Sequence, residues 1–168
     1  QTTIPIGHKK DHQISYLPQS LKKAIRQFVI TEAIRKTRNI DQKHSSMLIN
    51  ASVYNDVQKD IKSLVHEEML KIKAAISVHA GKKPQAALLD HEMRSLHNIW
   101  KEYFEKCLPE WSKVQENLHS AATPIKVVEI NSQSSDSLDY DAYSEDGLQV
   151  IAIGGYALSR GLTLEGLS

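Results

Sequence analysis

The residues best suited to chemistry stand in the stretch Val150-Ile151-Ala152-Ile153-Gly154-Gly155-Tyr156-Ala157-Leu158-Ser159-Arg160-Gly161-Leu162-Thr163-Leu164-Glu165-Gly166-Leu167. An apolar run with the look of a buried strand leads into Gly154 and Gly155, where the backbone must turn sharply or lie close to something. A single arginine, Arg160, follows in a polar loop beside Gly161. Its guanidinium is a planar fork of donors, an arrangement that grips a phosphate. In parallel α/β sheets ligands bind at the carboxyl ends of strands, which is where this loop would fall. The same residues also suit an ordinary surface turn after a strand.

Other chemistries find less in the chain. A Walker loop needs G-x-x-x-x-G-K-[ST] to cradle phosphates. The nearest stretch, Gly81-Lys82-Lys83, lacks the hydroxyl residue and the upstream glycine. A zinc-protease helix needs two histidines four residues apart on one face, but after His91-Glu92 the next histidine is His97, roughly 600° further round a helix. The acids Asp136, Asp139, Asp141, Glu145 and Asp146 could hold a hard cation. They are interrupted by serines and carry no lysine among them, which reads better as a solvated linker. No metal site is expected.

Three apolar runs have the length and polar flanks of strands: 47–52, 125–130 and 148–153. Leu17-Pro18 opens a helix to about Arg38, with Leu21, Ala24, Ile25, Phe28, Val29 and Ile34 at helical spacing. Asn55-Asp56 can cap a second helix, in which Val57, Ile61, Leu64, Val65, Ile72 and Ile76 form a stripe through about His79. Gly81 and Pro84 should stop it. Residues 85–119 read as helix again, divided by Pro109, with Leu89, Met93, Leu96, Trp100, Phe104 and Cys107 on one side. Strands separated by helices imply parallel pairing in an α/β layer. The first connection, about 70 residues, is far longer than a crossover needs, so 81–120 reads as a helical insertion packed on the sheet. The expectation is one domain over 1–168.

The 168 residues are enough for a real core without staples. One cysteine, Cys107, allows no internal disulfide and fits a reducing, cytoplasmic setting. No apolar run approaches the roughly 18 residues of a membrane span, and no signal peptide is visible at the start. The chain does not begin with Met, and the expectation is a piece of a larger protein. Net charge is +1, but its distribution is uneven. Residues 1–43 hold nine Lys and Arg against three acids, whereas 127–159 hold six acids and no Lys or Arg. Such asymmetry can steer a polyanion to one side, though a solvated basic helix face has the same composition.

The stretch from Val150 resembles motif five of superfamily-two helicases and translocases, where a strand leads into an R-G-x-D-like turn. More closely, Gly154-Gly155 with Leu158-Ser159-Arg160-Gly161-Leu162-Thr163-Leu164-Glu165-Gly166-Leu167 resembles the signature of the Z1 domain, an endonuclease domain associated with such helicases. Leu17-Pro18-Gln19-Ser20-Leu21-Lys22-Lys23-Ala24-Ile25 with Phe28, and Ser45-Ser46-Met47-Leu48-Ile49-Asn50-Ala51-Ser52 with Gln58, resemble the same family. The likeness touches both ends of the chain and skips 80–120. It implies a RecA-like second helicase lobe, an N-terminal ATPase lobe as partner, and a bacterial restriction or phage-defence setting. It also implies an arginine motif, Q-x-x-G-R-x-x-G-x-R, beyond the final stretch. Thr163 stands where the helicase motif has an acid, and Glu165, two positions on, is the candidate replacement.

The favoured reading is therefore an α/β, RecA-like second lobe of an ATP-dependent DNA-processing protein. Arg160 and Ser159 are expected near the lobe interface, contacting phosphate or coupling the two sites, and with Thr163 and Glu165 they are the expected catalytic residues. Gly154, Gly155 and Gly161 would supply backbone N–H groups, while Asn50, Ser52, Asn131 and Ser132, just past strand ends, would touch the DNA backbone. ATP and Mg would be bound in the intact protein and not by this chain alone. Restriction-system proteins are further expected partners. Two other readings stay open: a metal-dependent DNA endonuclease, and a non-catalytic interaction module that docks through 81–120.

Overall fold

The structure is a computed structural model that describes residues 2–3, 15–40, 44–50, 55–107, 109–130 and 148–154. The three apolar runs become strands β2 (His44–Asn50), β3 (Lys126–Ile130) and β4 (Leu148–Gly154), and a further strand, β1 (Thr2–Thr3), precedes them. The helices are α1 (Gln19–Thr37), α2 (Asn55–His79), α3 (Pro84–Ala87), α4 (His91–Phe104), α5 (Trp111–Glu116) and α6 (Leu118–Ala122). All strand pairs are parallel, in the order β1-β2-β4-β3. The fold is α/β, as the alternation of strand and helix patterns requires. The three strands read from sequence are present, and β4 lies between the other two. The two-residue β1 falls in what reads as an irregular lead-in, since so short a segment carries no pattern.

Contacts divide the chain into two compact units, one of Gln1–Leu21, Gln42–Glu67 and Ile125–Ser168, the other of Lys22–Asp41 and Glu68–Pro124. The boundary falls inside α1 and α2. Residues 81–120, read as an insertion, lie in the second unit together with most of α1 and the latter part of α2.

In the first unit β4 is buried on both faces, as a central parallel strand must be: Val150, Ile151, Ala152 and Ile153 are each fully inaccessible. Parallel register sets Leu48 of β2, Ala152 of β4 and Val128 of β3 side by side, and with Ile130 they form one apolar cluster. Val57, Ile61 and Val65 of α2, at helical spacing, are fully buried in this unit too.

In the second unit α1 ends through turn chemistry. Asn39 takes the left-handed conformation (φ 54°), so that Ile40 N–H donates to Arg35 O and Asn39 N–H to Lys36 O. This satisfies carbonyls that the helix end leaves open. Pro84, read as a stop, is the first residue of α3, where its missing N–H costs nothing. The block expected as two helices is four. Asp90 caps α4 by accepting from Met93 N–H at 3.0 Å. The helix therefore starts after Leu89, which is 79% exposed instead of joining the stripe, and Cys107 beyond its end is exposed as well. Ile99 takes a place in the buried stripe with Met93 and Leu96.

Arg26 joins three helices of this unit. Its Nε and Nη2 donate to the two oxygens of Glu92 on α4, each at 2.8 Å, Nη2 also donates to Glu68 on α2 at 2.7 Å, and Nη1 donates to Lys22 O. The side chains are 12%, 16% and 7% exposed for Arg26, Glu92 and Glu68, so all three charges are largely desolvated. Burial pulls the guanidinium pKa down, but Glu92 and Glu68 outweigh it and hold it above its usual value. Near α4's end His97 stacks on Trp100 and meets Trp111 edge-on, at 5.7 and 4.9 Å between centroids. Burial first, then Lys101, pushes the His97 pKa down, against a smaller opposing pull from Glu105.

Two stability outcomes follow. Arg26→Ala strands two buried carboxylates and should cost about 3–5 kcal/mol in denaturant unfolding. Replacing Arg26, Glu68 and Glu92 together by Met, Leu and Leu should recover most of that loss, since no charge is then left unpaired; an equally unstable triple variant would show that the cost lies in packing. For His97 the folded-state pKa lies below the unfolded 6.5, so the unfolded chain takes the proton first. Its contribution is intact above the unfolded pKa and is lost as pH falls from there through the folded pKa. His97→Phe should flatten the pH dependence of unfolding free energy in that window, and a parallel curve for the two proteins would contradict the assignment.

Candidate functional site

Parallel strands end at the same edge of a sheet. Here the register pairs Asn50 of β2 with Gly154 of β4, Gly154 with Ile130 of β3, and Thr3 of β1 with Asn50. The carboxyl ends therefore align as one rung. Side chains alternate between faces along a strand, so Asn50, Gly154 and Ile130 share the face of the Leu48–Ala152–Val128 row. Glycine contributes no side chain to this rung. Between Asn50 and Ile130 the rung therefore carries backbone only.

Asn50 is half-buried, and Gly154 and Ile130 are buried. The amide of Asn50 supplies two donors and one acceptor at the carboxyl end of β2. It suits hydrogen bonding to a phosphate or sugar better than covalent chemistry. The structure thus brings together two of the residues singled out from sequence, Asn50 and Gly154. Ser52, Asn131, Ser132, Gly155, Ser159, Arg160, Gly161, Thr163 and Glu165 lie outside the described residues, as do the acids Asp136 to Asp146.

The sequence reading passed over the buried polar residues of the sheet, among them Glu129 and Ser46. Glu129 is buried on β3, 7% exposed, in register with Ile153 on the face opposite Asn50. The signal was present, since an acid inside Val127-Val128-Glu129-Ile130 interrupts an apolar strand. Ser46 is fully buried on β2, with its hydroxyl unpartnered among the described residues. It lies two rungs from Asn50 on the same face.

The other constellations raised by the sequence resolve differently. Glu92 of the His91-Glu92 pair is held by Arg26, and His91 is exposed. Among the described residues no three His, Cys, Asp or Glu side chains gather as a metal-binding group. No helix of the described residues is long and apolar enough to cross a membrane.

In open α/β sheets with parallel strands, ligands bind outside the carboxyl ends of the strands, which makes this edge the candidate site. The family profile of the Z1 domain matches residues 20–168, and the chain belongs to the Z1 domain family. The match confirms the resemblance carried by the Leu17, Ser45 and Gly154 stretches and extends it through 80–120, where none was read. No curated protein and no solved structure is significantly similar to the chain.

Position on the rung separates structural from contact residues. Ile49→Ala should cost about 2–5 kcal/mol, the range for a fully buried large aliphatic, whereas Asn50→Ala should cost less than about 1 kcal/mol. Chemical denaturation of both variants measures this. Equal losses would make Asn50 part of the core and remove it from the candidate site.

Proposed function

We propose that this Z1 domain is the second, nucleic-acid-facing lobe of an ATP-dependent DNA-processing protein of the helicase or translocase kind, with a RecA-like sheet. The observation that carries the reading is the aligned carboxyl edge: Asn50 and Gly154 share a rung, and the motif-five-like residues follow Gly154 in the chain. On this reading Asn50 and Ser52, with Asn131 and Ser132 after β3, contact the DNA backbone. Gly154, Gly155 and Gly161 offer backbone N–H groups. Arg160 and Ser159, with Thr163 and Glu165, face the partner lobe and couple DNA to ATP.

Gly81-Lys82-Lys83 lies between α2 and α3, two helices, whereas a Walker loop joins a strand to a helix. ATP and Mg belong, on this reading, to an N-terminal lobe of the intact protein, as the family resemblance implies. There they would supply the free energy for moving along DNA, while this lobe binds and orients the strand.

Two measurements test the proposal. The chain alone should show no ATP turnover above buffer, and hydrolysis abolished by one internal substitution would contradict the assignment of ATP to another lobe. In the intact protein Arg160→Ala should lower DNA-stimulated hydrolysis about ten-fold or more, the scale of one lost charge-assisted bond, with the melting temperature almost unchanged. Unchanged stimulation with a clearly lowered melting temperature would make Arg160 a structural residue, pinned by a local acid such as Glu165.

A further inference from the structure

A cavity of about 660 Å³ opens in the second unit, where the turn after α2 and the start of α3 face α5 and α6. Its size is that of small-molecule sites. Three basic side chains line it, Lys82, Lys83 and His119, together with the hydroxyls of Ser77 and Ser112 and one carboxylate, Glu116. Glu116 is drawn towards Lys113, 3.7 Å away. The unit as a whole holds fourteen Lys and Arg against nine Asp and Glu, a net of +5 by sequence, while the other unit holds seven against eleven, a net of −4. An anion is therefore favoured here by the local lining and by the surrounding field.

The cavity is built rather than incidental. Gln115, 2% exposed, donates from Nε2 to the carbonyls of Ala80 and Lys82 at 3.1 and 2.7 Å, and its Oε1 accepts from Trp111 Nε1 at 3.1 Å. One side chain from α5 thus fixes the turn that carries the lysines. Lys82 Nζ lies 3.0 Å from His79 Nδ1, and His79 Nε2 lies 3.4 Å from Asp90 Oδ1, so an Asp90–His79–Lys82 chain holds the ammonium in place. Lys83 and His119 have no side-chain partner among the described residues, which leaves the Lys83 ammonium and the His119 ring nitrogens for a ligand. Gly81 needs no explanation from packing: a Cβ added there would meet nothing within 4 Å. Its backbone is open to approach. Ile76 and Pro84 give the cavity an apolar side.

We propose that this cavity binds a phosphate ester of nucleotide size, the phosphate held by Lys82 and Lys83 and the uncharged body lying along Pro84. The ester comes either from a free nucleotide or from a nucleic-acid strand. The inference is independent of the sheet-edge reading above, since it uses none of the same residues.

The test uses the whole 168-residue chain with Trp100→Phe, so that Trp111, bonded to Gln115 on the cavity wall, is the only tryptophan reporter. AMP should change its fluorescence saturably and adenosine should not, with equilibrium dialysis of labelled AMP as a second readout. Lys82→Gln with Lys83→Gln, both exposed positions, should weaken AMP at least about ten-fold while leaving the melting temperature unchanged. A 5′-phosphorylated thymidine tetranucleotide and its unphosphorylated counterpart then separate the sources. Binding of the phosphorylated one alone identifies a strand end, equal binding identifies the diester backbone, and binding of AMP but of neither identifies a free nucleotide. AMP without effect in both readouts, adenosine as good as AMP, or affinity indifferent to the two lysines would overturn the proposal.

Discussion

Parallel pairing is the constraint from which the rest of this molecule follows. Two parallel strands cannot be joined by a tight turn, so each link must travel back across the sheet. Between β2 and β3 that return path holds α2 through α6, and with them much of a second compact unit. Parallel pairing also collects every carboxyl end at one edge. The register that aligns Leu48, Ala152 and Val128 inside the sheet is the same one that aligns Asn50, Gly154 and Ile130 at its rim. Slipping β4 by one residue would turn its side chains to the opposite faces and move Gly154 off the rung. Core and candidate site are thus set by one interaction.

The second unit is organised on another principle. Its helices are short apart from α1 and α2, and short helices have little stability of their own. Polar contacts of unusual burial tie them together: the Arg26 guanidinium between two carboxylates, and the Gln115 amide spanning two carbonyls and an indole. A buried ion pair need not add stability over an apolar substitute, but it penalises wrong arrangements, because misplacing any member leaves a charge unpaired in low dielectric. The opposite net charges of the two units give the chain's overall +1 a misleading neutrality.

Much of this was legible in the sequence where local chemistry decides the outcome. The three long strands announce themselves as apolar runs with polar flanks, and α1 and α2 as stripes. Reading failed where a single residue reverses the meaning of a pattern. Leu89 continues a helical stripe on paper, but Asp90 caps the helix after it and leaves Leu89 in solvent. Pro84 looks like a stop and is a start. Contacts across long separations left no local trace: Arg26 meets Glu68 and Glu92 across 42 and 66 residues. For the site, the rule that ligands gather at carboxyl ends picked Asn50 and Gly154. Their adjacency depended on β4 lying between β2 and β3, which chain order does not reveal. Gly81-Lys82-Lys83 fails the Walker pattern for want of a hydroxyl residue and an upstream glycine, and the cavity it borders leaves no local trace, because its other wall comes from residues some 30 positions later.

The central claim is that the carboxyl edge of the sheet is the face that meets nucleic acid. Amide hydrogen exchange of the intact protein, with and without single-stranded DNA, tests it most directly. The account predicts slowed exchange in peptides that cover Asn50 and Ser52, Asn131 and Ser132, and Gly154 to Gly161, with no change at the amino ends of the same strands around His44, Lys126 and Leu148. Protection at the amino ends, or at neither end while DNA is bound, would contradict it.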